Sequence, residues 1–104
     1  MHVYILFAHP GKTSFNREVL GAFTRGLREA GHTYETGDLY EMGFKSEMDA
    51  EQYHRETDLD PYEPVPNDVA REQEKIDRAE VLAFIYPVWW SDCPAKLKGW
   101  FDRV

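Results

Sequence analysis

A single cysteine, Cys93, excludes an intramolecular disulfide and any multi-cysteine metal site, and it fits a reducing compartment. His2, His32 and His54 have no metal-ligand spacing with one another or with nearby acids, so no metal is expected. Long apolar runs are missing, so membrane insertion is not expected, and no basic segment precedes the strand-like residues that follow Met1. The cytoplasm is the default location. Positive charge is scarce: 12 basic residues face 19 acidic ones, a net charge of −7, which argues against nucleic acid and against anionic membrane surfaces. A phosphate group could not be held by a broad basic field here and would need neutral donors at a helix N-terminus. Neither a GxGxxG nor a Walker pattern is present, which argues against nucleoside triphosphate binding and Rossmann-type binding.

What is there is a chain of 104 residues, the length of one domain with a small core. Residues 3–8 form an unbroken apolar run closed by His9-Pro10-Gly11, as expected of a strand buried on both faces. Phe15, Val19, Leu20, Phe23, Leu27 and Ala30 then recur at helical spacing, with Thr13 or Ser14 placed to cap the start and Gly31 the end. Residues 32–39 read as a second, less apolar strand nearer an edge. Residues 40–66 carry acids and the prolines Pro61, Pro64 and Pro66, and read as loop with short helical pieces. In that stretch Met42, Phe44 and Met48 are packing candidates, and Asp58, Asp60 and Glu63 a solvated face. A surface helix is expected over residues 69–79, and a second wholly apolar strand over 81–86. A final helix follows, with Pro94 in its first turn, Asp92 as its cap, and Leu97, Trp100, Phe101 and Val104 on one face.

This β-α-β-(loop, α)-β-α order implies an α/β fold with a parallel sheet, residues 3–8 lying between 32–39 and 81–86. A strand as apolar as 81–86 should be covered on both faces and paired on both sides. Three strands cannot do that, so the expectation is one domain over 1–104 that is incomplete at its C-terminus.

Ligands of open parallel sheets bind beyond the carboxyl ends of the strands. Two loops fall there: residues 9–16 and residues 87–94. The first offers the Thr13 and Ser14 hydroxyls, the Asn16 amide and the N–H groups of a starting helix, which together can hold a phosphate; capping alone is the commoner use of such hydroxyls. His9 reads equally as a packed or a functional residue. The second loop carries Trp89 and Trp90, whose side chains point to opposite sides of an extended segment. One can pack inward while the other borders a cleft for a planar aromatic ligand; alternatively both are core or subunit interface. Cys93 has no basic neighbour that would make it reactive.

The segments Ala8-His9-Pro10, Thr13-Ser14-Phe15-Asn16, Gly37-Asp38-Leu39-Tyr40-Glu41-Met42 with Phe44, Glu72-Gln73, Phe84-Ile85-Tyr86-Pro87-Val88-Trp89-Trp90 and the run from Pro94 to Val104 resemble the flavodoxin-like NAD(P)H:quinone oxidoreductases, in order and across the whole chain. The resemblance implies a three-layer flavodoxin-like fold with strand order 2-1-3, a part of 2-1-3-4-5, and a homodimer. It implies FAD, with FMN the alternative, and NAD(P)H as co-substrate. His9, Thr13, Ser14, Phe15 and Asn16 would contact the flavin's phosphate and ribityl portion. Pro87, Val88, Trp89, Trp90 and Ser91 would border its ring. The implied reaction is hydride transfer from NAD(P)H to the flavin, then two-electron reduction of a quinone. The family's Gly-rich loop and its Tyr and His have no counterpart among these residues, so no catalytic acid or base is assigned. Two other readings accompany this one: a regulatory ancillary subunit of a potassium-efflux system, and an inactive truncated product.

Overall fold

A computed structural model describes residues 1–104. The elements are β1 (His2–Phe7), α1 (Phe15–Glu29), β2 (Thr33–Asp38), α2 (Ala50–Thr57), α3 (Asn67–Arg78), β3 (Val81–Ile85) and α4 (Ala95–Arg103). The three strands form one sheet of order β2-β1-β3, and both pairings are parallel. β1 is central because it is the most apolar strand, and Tyr4 to Ala8 are fully buried. β2, with the sequence TYETGD, carries polar residues that tolerate an edge.

Alternation along β1 builds three layers. Tyr4, Leu6 and Ala8 join Leu39, Phe44, Leu97 and Trp100 in the main core. Phe7 points to the other face, where the Arg17 guanidinium of α1 lies 4.4 Å from its ring centre. α1 therefore covers one side of the sheet, and α3 and α4 the other. The apolar stripe expected on α1 is only partly covered: Val19 and Phe23 are each more than a third exposed, and Thr24 is the helix's buried residue.

Two polar clusters fasten α4 to the rest. Glu72 of α3 is buried and accepts from the Tyr4 hydroxyl and from Trp100 Nε1 at 2.9 Å, while Lys75 Nζ lies 2.7 Å from its second oxygen. Burial, with the adjacent Glu72 carboxylate, raises the Tyr4 pKa and keeps the phenol a donor. Arg103, at the end of α4, donates to both Asp68 oxygens at 2.6 and 2.9 Å, to Gln52 Oε1 at 2.9 Å and to the Lys45 carbonyl at 2.7 Å. α4 also needs Gly99. A Cβ there would stand 2.3 Å from the Ser46 carbonyl oxygen.

One expectation needs correction and others gain detail. Residues 40–66, expected as loop with short helical pieces, hold one such piece, an eight-residue helix whose N-cap Asp49 accepts from the Gln52 N–H at 2.8 Å. Asp92 does not cap α4: the cap position is Pro94, without a side-chain bond, and the Asp92 carboxylate accepts instead from Cys93 N–H at 2.7 Å. Of the two possible caps for α1, Ser14 is the one used, accepting from Arg17 N–H at 3.1 Å. The outer edge of β3 has no partner strand, leaving Val81 and Leu82 more than a third exposed beside Phe101, which is 51% exposed.

Candidate functional site

The parallel register brings the two candidate loops together. Phe7 pairs with Ile85, the last residues of β1 and β3, and Ala8 N–H donates to the Ile85 carbonyl at 3.1 Å. Both chains then leave the sheet at the same edge. His9 and Trp89 meet there, edge to face, with ring centres 6.3 Å apart. Gly11 N–H donates to His9 Nδ1 at 2.9 Å, folding the first loop over the imidazole. Ser14 is extended and caps α1 by accepting from the Arg17 N–H, so the helix's first turn begins near His9, which shares a hollow with Arg17, and a helix start leaves its first N–H groups open to a ligand.

The second loop is held in a tight turn. Trp89 and Asp92 exchange two backbone hydrogen bonds, 2.9 Å from Trp89 N–H and 3.1 Å from Asp92 N–H. The two residues between them, Trp90 and Ser91, have φ values of +48° and +68°. Two left-handed residues in succession make this a type I′ turn, where Asn-Gly is the usual pair. The geometry splits the tryptophans: Trp89 leans on His9, and Trp90 projects 96% exposed. Val88 (69%) and Phe15 (82%) are exposed with it. Thr13 is also exposed, while Ser14, Asn16 and Pro87 show intermediate or greater exposure at the same edge.

A hollow of about 580 Å³ opens on the β2 side of His9, lined by His9, Pro10, Lys12, Arg17, Asp38, Tyr40 and Glu41. Of the residues picked from sequence only His9 lines it; the others lie at the start of α1 or on the tryptophan side. Arg17 and Asp38 pair across it at 2.9 Å, and Arg17 Nε is buried without a hydrogen-bond partner. Burial raises the Tyr40 pKa. The signal for these residues was available, since Asp38 ends β2 and must reach the edge that β1 reaches. Cys93 is pushed up in pKa by burial and by Asp92, which keeps it a thiol. No helix is long and apolar enough to cross a membrane.

The chain matches the family described as flavodoxin-like fold over residues 1–104. It is similar to the ribosyldihydronicotinamide dehydrogenase-like protein traD of Penicillium crustosum, at 37% identity over all of this chain and 43% of that protein. It is similar to NAD(P)H dehydrogenase [quinone] 1 of Cavia porcellus, at 34% identity over 96% of this chain and 41% of that protein. Among solved structures, an NAD(P)H:quinone oxidoreductase from Methanothermobacter marburgensis superposes with a TM-score of 0.96 and 68% identity, covering 99% of this chain and 52% of that one. The chain thus spans about half the length of the relatives it matches or less. With its full length matched and its strands in parallel 2-1-3 order, the chain belongs to the flavodoxin-like fold family, and its similarity there is to proteins named as NAD(P)H quinone oxidoreductases.

Proposed function

We propose that these 104 residues are the flavin-holding part of an NAD(P)H-dependent quinone oxidoreductase. The observation that carries this reading is the junction of the two loops, with Trp89 set on His9 at the opening of α1 and Trp90 raised beside them. The residues present suit a flavin. The start of α1, with Thr13, Ser14, Phe15 and Asn16, offers N–H and hydroxyl donors to a phosphate without a basic field. Residues 87–91 offer backbone groups and an indole face to a planar ring. When bound, the flavin would supply hydride acceptance from NAD(P)H and two-electron delivery to a quinone. The protein's own part is to bind and orient. His9 would donate at the phosphate end, Trp89 would hold His9 in place, and Trp90 would shield one side of the ring position.

FAD is favoured over FMN. The hollow beyond His9 is of the size that takes a nucleoside, and Lys12 in its lining would offer a cation to the additional phosphate that FAD carries. We further propose that the unpaired edge of β3 is covered in the working protein by another strand, because a parallel strand this apolar is stable only when paired on both sides. The working protein is proposed to be a cytoplasmic homodimer. Purified protein should carry a flavin absorbance band, release FAD on denaturation and oxidise NAD(P)H with a quinone acceptor. Protein that stays colourless after incubation with FAD and with FMN would rule the reading out.

A further inference from the structure

We infer that Gly11 is a positioning residue that locks the His9 ring in one tautomer and one orientation; its consequence for ligand affinity rests on the flavin reading above. A backbone N–H can only donate, so the bond from Gly11 requires a bare lone pair on His9 Nδ1. The neutral ring must then carry its proton on Nε2, which has no acceptor within the chain and is left as a donor for a ligand oxygen. The fit is tight on the Gly11 side. A Cβ on residue 11 would stand 3.1 Å from His9 Cε1 and 3.3 Å from Nδ1, closer than ordinary contact. The same ring meets Trp89 of the second loop edge to face, with ring centres 6.3 Å apart. The absence of a side chain at residue 11 is therefore what lets the ring lie against the residue 11 backbone while it meets Trp89. Gly11 is not in the left-handed region, so the backbone itself accepts alanine there. Any effect of alanine must then act through the ring.

The test is Gly11→Ala in the full chain, read three ways. Nitrogen-15 shifts of the His9 ring report the tautomer without any ligand, thermal melting reports the fold, and titration with FAD reports affinity. The apoprotein should show His9 with Nδ1 bare and Nε2 protonated. Gly11→Ala should blur that pattern, leave the melting temperature unlowered and weaken FAD binding roughly tenfold, the size of one lost hydrogen bond. His9→Gln, whose amide N–H can reach the Nε2 position, should bind FAD better than His9→Asn, whose shorter amide reaches only the Nδ1 position. A wild-type ring protonated on Nδ1, or ring shifts unmoved by Gly11→Ala, would overturn the inference. If the tautomer lock is present and breaks as described but neither protein binds FAD, the flavin reading fails and the positioning role stands.

Discussion

Replacing Trp90-Ser91 by Asn-Gly should make the protein more stable and worse at holding its ligand. Both residues sit at positive φ, a conformation that costs an ordinary side chain roughly 1–2 kcal/mol and that Asn and Gly accept with little strain. Two such residues store about 2 kcal/mol or more. The new glycine gives back about 0.4–1 kcal/mol through the entropy of the unfolded chain. Trp90 is 96% exposed, so removing its indole forfeits almost no burial. The net gain is at least about 1 kcal/mol. At roughly 4–8 °C per kcal/mol for a domain of this size, the melting temperature should rise by at least about 4 °C. Differential scanning fluorimetry on the ligand-free protein reads this directly, and a flavin titration of the same samples should show weakened binding. The Trp89–Asp92 hydrogen bonds remain available to the substituted turn, so loss of pairing is not expected. An unchanged or lowered melting temperature would refute the argument that strain is stored here, and unchanged flavin affinity would refute the use assigned to it.

Glu72→Ala should cost roughly 3–5 kcal/mol in urea unfolding, because it strands the Tyr4 hydroxyl, the Trp100 indole N–H and the Lys75 ammonium together; a loss under 1 kcal/mol would show the cluster to be dispensable. Gly99→Ala should destabilise by at least the roughly 1–3 kcal/mol typical of overpacking, since the added Cβ meets the backbone of Ser46, which cannot swing aside. Arg103 holds the Asp68 carboxyl below its usual range, so the pair's stabilisation is present above the ordinary carboxylate pKa of about 3.9 and fades as pH falls through the lower, folded value. Asp68→Asn should flatten that acid limb in pH-dependent melting, and an acid limb identical to wild type would count against the pair.

The strands were legible because their chemistry is one-dimensional. Residues 3–8 and 81–86 are continuous apolar runs, and the first appears in the structure as β1, buried and central, within a residue of its expected bounds. The Ser14 cap was legible as one of two choices. The middle of the chain was not, because its order comes from polar residues that find partners far away. Gln52 looks like surface in sequence, yet it is buried because Arg103, 51 positions later, takes its oxygen. Glu72 is hidden for the same reason. Asp92 was misjudged because the turn before α4 claims it, and that turn depends on left-handed tryptophan and serine residues that composition does not announce. At the site, the meeting of the two loops followed from parallel pairing. The same pairing brings Asp38 to that edge, but the hollow beside it also needs Arg17 reaching across from α1, which no sequence pattern announces.

The Arg103 cluster also sets an order of events during synthesis. Lys45, Gln52 and Asp68 leave the ribosome long before the one cation that joins them. Chains grow at roughly 5–20 residues per second, so the middle third of the protein spends seconds without its anchor while β1 and α1 are already available to pair. During that interval α2 is an eight-residue helix with no tertiary partner on Gln52, too short to persist alone in water. The region that is hardest to read in the sequence thus settles only once α4 is made, and until then a growing chain is open to proteolysis between β2 and α3.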